Sequence, residues 1–253
     1  MQQIVYLSAQ LHDNPKYKAA ADRLFAALDP NGVSYGFIEN TKDIWVRDFM
    51  PVKTKSGKYV SFRYEPSYHI TDKHIANRTN FKNDLQGKAI DLPDVVFSDI
   101  NLDGGNVVFS PSREKAIISD RIFSENPERE ADELLSTLRN LLEAQVTIIS
   151  SWEYDMTGHA DGMVRFVDEN TIVTTFNFPY FDPEDPDGIS AVGSYINFLE
   201  TERHIFLPVF GIGMDGEAVA EAERIFKDKT IVPINMKEIA ADGGGLNCIS
   251  WEM

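Results

Sequence analysis

The sequence predicts an α/β fold, because short strand patterns alternate with helix patterns along the chain. Runs rich in Val, Ile and Phe recur at regular spacing, as buried strands do. Between several of these runs, apolar residues recur three and four positions apart, which is typical of a helix that packs on one face.

The first predicted elements are a strand and a helix. The strand covers the apolar, β-branched run at 3–9, and the helix begins at the Asn14–Pro15 pair, since Pro is favoured in the first turn of a helix. Leu24 and Leu28 lie on one face of that helix at a spacing of four.

The remaining predicted elements continue the alternation. Further strands are predicted at 33–39, 59–65, 106–110, 115–119, 146–150, 163–167, 171–176, 204–209 and 230–234. Further helices are predicted at 127–144, where Asn126 is the expected N-cap, at 189–200 and at 217–226. Polar, turn-like clusters interrupt the pattern at 43–51, 99–106, 156–162 and 241–248.

Length and composition favour one compact domain over residues 1–253. A chain of 253 residues with 43% hydrophobic content can bury a sizeable core, and no Ser/Gly-rich linker divides it. The first residues lack the basic start and apolar run of a signal peptide, and no segment approaches ~20 apolar residues. Cys248 is the only cysteine, which fits a reducing compartment, so we expect a cytoplasmic protein with no membrane partner.

The charge balance argues against a nucleic-acid partner. The 24 Lys and Arg residues face 40 Asp and Glu residues, giving a formal net charge of −16, which repels a polyphosphate. A small cationic substrate is compatible with this surface. Association into a homo-oligomer is left open.

The cluster GHADG contains His159 and Asp161, two residues apart. If this segment is extended, the imidazole and the carboxylate face the same side and one pocket. The alternative is a surface turn in which Asp161 caps a backbone amide and His159 has no role.

The cluster DIWVRDFMP places Arg47 and Asp48 among apolar residues. A buried carboxylate is costly unless it is paired, so Asp48 requires Arg47, backbone donors or a cationic ligand. An internal pair of Arg47 and Asp48 that closes a loop is the alternative.

Two glycine-rich clusters complete the candidate set. Asp103 precedes two glycines, which suits either a plain β-turn or a close approach of the backbone to a ligand. Cys248 follows three glycines, which suits a nucleophile on a loop, although a lone cysteine is usually a small buried residue. Zinc-ligand spacings are absent, so no metal is expected, and the acidic segment 181–188 is interpreted as an exposed loop or lid.

Four segments together resemble one known family. WVRDFMP (45–51), LDGGN (102–106), GHADGMVRF (158–166) and GGGLNCIS (243–250) resemble, in this order, the motifs of the agmatine deiminase and Porphyromonas-type peptidylarginine deiminase family. That family has the pentein fold, in which five ββαβ-type modules form an α/β propeller around a central active site. The resemblance implies this fold.

The resemblance also implies roles for particular residues. Cys248 would be the nucleophile, His159 the general acid and base, and Asp48 and Asp161 the carboxylates that bind a guanidinium. The further substrate-binding residues implied are Trp45, Arg47, Gly104, Gly105, Arg165, Gly245 and Asn247. The implied reaction converts agmatine, arginine or peptidyl-arginine to a ureido product and ammonia through a covalent thiouronium, with no metal or organic cofactor.

Two positions depart from the family's motifs and leave the substrate open. Met50 occupies a position that is normally glycine, and Asn247 occupies one that is commonly histidine. Arg47 or Arg165 could pair with the carboxylate of free arginine, whereas agmatine requires an acidic or polar site for its amine. An amidinotransferase and a non-catalytic guanidinium-binding protein are the alternative functions.

Overall fold

The computed structural model describes residues 3–152, 155–175 and 190–253. Within these residues the strands are β1 (Ile4–Ser8), β2 (Ser34–Ile38), β3 (Val52–Lys53), β4 (Tyr59–Arg63), β5 (Val95–Asn101), β6 (Val108–Phe109), β7 (Lys115–Ser119), β8 (Gln145–Ile149), β9 (Val164–Phe166), β10 (Ile172–Thr174), β11 (Leu199–Glu200), β12 (His204–Val209), β13 (Thr230–Asn235) and β14 (Ser250–Glu252).

The α-helices vary from single turns to three turns. They are α1 (Gln10–Asp13), α2 (Lys18–Leu28), α3 (Val46–Phe49), α4 (Asp72–Ala76), α5 (Arg121–Ser124), α6 (Ala131–Leu142), α7 (Asp215–Ile225) and α8 (Lys237–Ala240). Short 3-10 turns cover Asp29–Asn31, Gly104–Asn106 and Ala160–Gly162, and a π-turn covers Phe81–Leu85. Not one of these helices combines the length and the apolar character needed to cross a bilayer.

The described strands form small sheets that repeat one plan. The three-stranded sheets have the orders β14-β1-β2, β3-β4-β5, β6-β7-β8 and β11-β12-β13, and β9 pairs with β10. In each three-stranded sheet the central strand pairs antiparallel with one neighbour and parallel with the other. Since a parallel pair needs a crossover, helical segments join the two parallel strands, and the predicted α/β class is confirmed.

The chain divides into two compact units. One unit contains residues 1–38, 44–46 and 174–253, and the other contains residues 39–43 and 47–173. The prediction of one catalytic domain over residues 1–253 stays a prediction.

The core of the first unit forms where α2 packs on the sheet of β1. Leu24 and Leu28 are fully buried with Val5 and Leu7 of β1. The spacing of four residues puts both leucines on one helix face. Burial of each leucine side chain stabilises the folded state by roughly 1.5 to 3 kcal/mol.

The core of the second unit is built in the same way around α6. Leu134, Leu138 and Leu142 repeat every fourth residue and are fully buried against Ile118 of β7 and Ile100 of β5. The connection between two parallel strands is therefore held by one continuous apolar stripe.

Three helix predictions require correction. The helix predicted to begin at Asn14–Pro15 begins at Lys18. The helix predicted at 127–144 covers Ala131–Leu142 with Glu130 at its N-cap position, and Asn126 does not cap it, because its side-chain oxygen accepts from the backbone N of Asn101 at 2.8 Å. The helix predicted at 189–200 is wrong where the structure describes it, since Gly193 has a φ of 90°, which a right-handed helix cannot contain.

Some strands were not predicted from the sequence, and some predicted segments lie outside the described residues. The strands β5 and β14 were not predicted, because the second half of β5 contains Ser98, Asp99 and Asn101, and β14 has only three residues. The loop or lid predicted at 181–188 lies outside the described residues, as do residue 176 of one predicted strand and residue 189 of the wrong helix.

Candidate functional site

Each motif singled out in the sequence lies in a loop after the outer, parallel strand of a three-stranded sheet. Asp48 lies between β2 and β3, Asp103 between β5 and β6, and His159 with Asp161 between β8 and β9. Cys248 follows the same pattern between β13 and β14. The repeated plan of the sheets therefore assigns one polar loop to each of these connections.

In the second unit, Asp48 is held by a backbone amide. Its Oδ1 accepts a hydrogen bond from the backbone N of Gly105 at 3.1 Å. Phe49 and Met50 beside it are buried, so the carboxylate lies in apolar surroundings. A single turn of helix, α3, carries it.

His159 is buried between two carboxylates of the same unit. Its Nε2 lies 2.8 Å from Oδ2 of Asp103, and its Nδ1 lies 3.6 Å from Oδ1 of Asp48. Asp103 is thus the partner of the imidazole, a role that neither sequence interpretation, a plain β-turn or a close approach of the backbone to a ligand, includes. The signal that could have found it is a carboxylate directly before the Gly104–Gly105 pair.

Gly105 is the point around which these side chains meet. A Cβ atom placed there would lie 2.6 Å from Oδ1 of Asp48, 2.7 Å from Nδ1 of His159 and 3.4 Å from Oδ2 of Asp161. Because such distances leave no room for a methyl group, the site requires glycine. Gly104 has the same restriction against the backbone carbonyl of Arg47.

Asp161 reaches this cluster by a route that differs from the sequence prediction. Residues 160–162 form a 3-10 turn rather than an extended strand, so simple alternation does not bring His159 and Asp161 to one side. Asp161 is nevertheless only 1% exposed and lies beside Gly105. The turn itself therefore directs both side chains to the same place.

Tyr68 extends the cluster behind Asp103. Its hydroxyl donates to Oδ2 of Asp103 at 2.7 Å, and its ring packs edge-on to the His159 ring with centroids 6.1 Å apart. One carboxylate oxygen thus accepts from both neighbours. No sequence pattern indicated this tyrosine.

The electrostatics of the cluster follow from burial and from its three carboxylates. Burial by itself lowers the pKa of His159, but Asp48, Asp103 and Asp161 outweigh it and raise that pKa to about 10. Burial is the largest cause that raises the pKa of Asp48 to about 8; the charge of His159 opposes it, and the charges of Asp103, Asp161 and Asp43 raise it further. Three carboxylates and one imidazolium leave excess negative charge, which a bound cation would compensate.

In the first unit, Cys248 is buried on the loop before β14. The side-chain oxygen of Asn197 accepts hydrogen bonds from the backbone N of Asn247 at 3.0 Å and of Cys248 at 3.2 Å, and it lies 3.4 Å from the thiol Sγ. Asn197 was not singled out from the sequence. The sequence only places it in an apolar segment for which a helix is predicted, and this pattern indicates no role for its side chain.

The glycines before Cys248 contact side chains of the same unit. A Cβ atom at Gly244 would overlap the ring of Trp45, and one at Gly245 would lie 2.6 Å from the side-chain oxygen of Asn197. Trp45 itself packs against the core of the first unit. These glycines therefore allow close packing within the protein.

The predicted site residues fall into two groups, one in each unit. Asp48, Asp161 and His159 come together with Asp103, whereas Arg165 lies on β9, half-buried. The residues Cys248, Asn247, Gly245 and Trp45 belong to the other unit. Across residues 3–152, 155–175 and 190–253, no three His, Cys, Asp or Glu side chains are arranged to hold a metal ion.

Comparison with known proteins identifies relatives of this chain. A family model for Porphyromonas-type peptidyl-arginine deiminase matches residues 2–188 and 174–253. The chain is 38% identical over 70 residues to the agmatine deiminase of Pseudomonas aeruginosa strain LESB58, which covers 28% of this chain and 19% of that protein. It is 38% identical over 68 residues to that of Stutzerimonas stutzeri, which covers 27% of this chain and 18% of that protein. The chain thus aligns with only a small part of each curated relative.

The solved agmatine deiminase of Enterococcus faecalis resembles the fold as a whole. Its TM-score is 0.74 at 16% identity, over 99% of this chain and 93% of that chain. The family's α/β pentein fold is thereby confirmed for this chain, while closure of the modules into a propeller stays a prediction.

Proposed function

Because the chain belongs to the Porphyromonas-type peptidyl-arginine deiminase family, we propose that it is a hydrolase that deiminates a guanidino compound to a ureido product and ammonia. The observation that carries the proposal is the buried group of three carboxylates around His159. Such a group has excess negative charge in apolar surroundings, which favours a planar cation as its ligand.

Asp48 and Asp161 are the proposed guanidinium-binding carboxylates. Both are buried, and both approach the space over Gly105. Carboxylates accept hydrogen bonds from a guanidinium in pairs, and in a site with little water these bonds are strengthened. The absence of a side chain at Gly105 lets the two carboxylates come close to each other and to His159.

Cys248 is the proposed nucleophile. The bound cation favours loss of the thiol proton to solvent, and the resulting thiolate attacks the central carbon of the guanidinium, forming a C–S bond. The C–N bond to a terminal nitrogen then breaks, and that nitrogen takes a proton from His159 and leaves as ammonia. A thiouronium adduct on Cys248 remains.

His159 is the proposed acid in the first step and base in the second. A pKa raised to about 10 means that the imidazole holds the proton that the leaving nitrogen requires. Its Nε2 faces Asp103, so Nδ1 is the atom proposed to transfer the proton. The neutral imidazole then removes a proton from water, which attacks the adduct, and breaking the C–S bond releases the ureido product.

Agmatine is the proposed first substrate to test. The relatives described above are named agmatine deiminases, and a net charge of −16 attracts a dication more strongly than free arginine, whose carboxylate leaves it with a single net positive charge. Arg47 and Arg165 are the residues that would instead favour free arginine.

The test is a substrate panel assayed for both products. Purified full-length protein is incubated with agmatine, arginine and an arginyl peptide, and ammonia and the ureido product are quantified without any added amine. We expect turnover of at least one compound and none with Cys248→Ser. Inactivity on all three, together with failure of a haloacetamidine probe to label Cys248, would contradict the proposal.

A further inference from the structure

The side chain of Asn197 is a common acceptor for the loop that carries Cys248. Its oxygen accepts from two consecutive backbone amides, those of Asn247 at 3.0 Å and Cys248 at 3.2 Å. The same oxygen lies 3.4 Å from the Sγ of Cys248, within range of a thiol hydrogen bond. Asn197 is only 4% exposed, so these contacts are shielded from water.

The backbone of Asn197 also contacts the glycine loop directly. The carbonyl oxygen of Asn197 also accepts from the backbone N of Asn247 at 3.2 Å. A Cβ atom at Gly245 would lie between 2.6 and 2.8 Å from three atoms of Asn197. Gly245 is thus explained by Asn197, because any larger residue would displace the acceptor from the loop.

The chemistry of an amide oxygen decides which form of the thiol fits these contacts. An amide oxygen only accepts hydrogen bonds, so a thiol can donate to it, whereas a thiolate facing it is repelled. The two backbone N–H groups that could stabilise a thiolate are directed to the same oxygen. The geometry therefore favours the protonated thiol when no cation is bound.

We propose that Asn197 is a positioning residue for Cys248, which orients the thiol and keeps it protonated in the ligand-free protein. The functional meaning of this role rests on the proposed function, in which Cys248 is the nucleophile.

The test is the pH dependence of Cys248 alkylation by iodoacetamide. Because Cys248 is the only cysteine, intact-mass spectrometry of the full chain reports this residue alone. Asn197→Asp keeps the acceptor and adds a negative charge beside Sγ, which disfavours the thiolate. We expect the midpoint of the rate profile to rise by about one pH unit or more, so that alkylation below it slows about tenfold.

A second variant has the opposite expected sign. Asn197→Ala removes the side-chain acceptor and frees the N–H of Cys248 from it, while the N–H of Asn247 keeps the backbone carbonyl of residue 197, so the midpoint should fall, and this measurement carries the test if Asn197→Asp does not fold. Ser250→Ala is the matched control, because the Oγ of Ser250 donates to the carbonyl oxygen of Leu246 at 2.8 Å within the same loop. Its midpoint should equal that of the wild type.

The outcomes separate this proposal from the proposed function. A shifted midpoint in a protein that turns over no guanidino compound supports the role of Asn197 and contradicts the deiminase function. An active enzyme whose folded Asn197 variants all alkylate with the wild-type midpoint overturns the role of Asn197 and leaves the deiminase function intact.

Discussion

Nε2 of His159 lies 2.8 Å from Oδ2 of Asp103, and both side chains are buried. This contact orients the imidazole, because a ring held at one nitrogen has its other nitrogen directed to the opposite side. Nδ1 consequently faces Asp48 at 3.6 Å. The acid and base chemistry proposed for His159 thus depends on a carboxylate that does not itself touch the guanidinium in the proposed mechanism.

Replacing Asp103 by Asn should lower the pKa of His159 from its raised value of about 10. The substitution removes the negative charge and replaces a carboxylate acceptor by a weaker amide oxygen, so the imidazolium is stabilised less. We expect kcat to fall at least about a hundredfold, the range of general acid–base catalysis. NMR titration of the histidine ring protons checks the shift, with His159→Gln used to assign the signal, and an unchanged His159 titration would contradict the prediction.

Tyr68→Phe should raise the pKa of His159. The Tyr68 hydroxyl donates to Oδ2 of Asp103 at 2.7 Å, so it competes with His159 for that oxygen. Without it, Asp103 binds the imidazolium more strongly and the pKa of His159 should rise further. We also expect the free energy of unfolding to fall by about 1 to 3 kcal/mol, as for a hydrogen bond to a charged group, measured by urea titration. A pKa of His159 that falls instead would rule out this competition.

Binding of a guanidinium should release a proton. At pH 7 Asp48, with a pKa raised to about 8, holds a proton in the ligand-free protein, and a cation beside it favours the carboxylate. Affinity should therefore increase as the pH rises towards 8 and level off above it. Titration calorimetry of Cys248→Ser with agmatine, in buffers of different ionisation enthalpy, should report close to one proton released at pH 7. A binding heat that is independent of the buffer would be the opposite result.

Gly105→Ala should abolish most activity while the protein still folds. The added methyl group would overlap Asp48 and His159, and its overpacking should cost about 1 to 3 kcal/mol of unfolding free energy. We expect kcat/KM to fall at least about a hundredfold, because a small misplacement of reacting groups is costly. Gly213→Ala is the matched control, since nothing lies within 4 Å of its Cβ position, and equal kcat/KM values for both variants would refute the steric argument.

The stability of the protein should decrease in alkaline solution. The pKa of His159 is raised from 6.5 to about 10, so its contribution is fully present below pH 6.5 and is lost as the pH rises through 10. The pKa of Asp48 is raised from 3.8 to about 8, so its contribution to stability is likewise lost as the pH rises between those two values. Urea titrations at several pH values should show a decrease on the order of a few kcal/mol, with a shallower slope for Asp48→Asn. A slope that is equal in both proteins would contradict this assignment.

Local sequence patterns predicted the regular elements well where the pattern was uniform. The strands at Lys115–Ser119 and His204–Val209 have the predicted bounds, because each is a short apolar run between polar residues. The pattern misled at 189–200, where apolar residues at helical spacing belong to turns around Gly193 and to β11. Spacing alone cannot detect a backbone conformation with positive φ.

The sequence by itself determined the residue types, their order and the α/β class, since these depend on short-range patterns and on motifs that can be read directly. Only the tertiary structure decided which side chains meet. Asp103 and His159 are 56 residues apart, and Asn197 and Cys248 are 51 apart, so no local periodicity links them. A hydrogen bond acts over about 3 Å, and whether two distant residues reach that distance depends on how the sheets and their loops pack, which is a property of the whole chain.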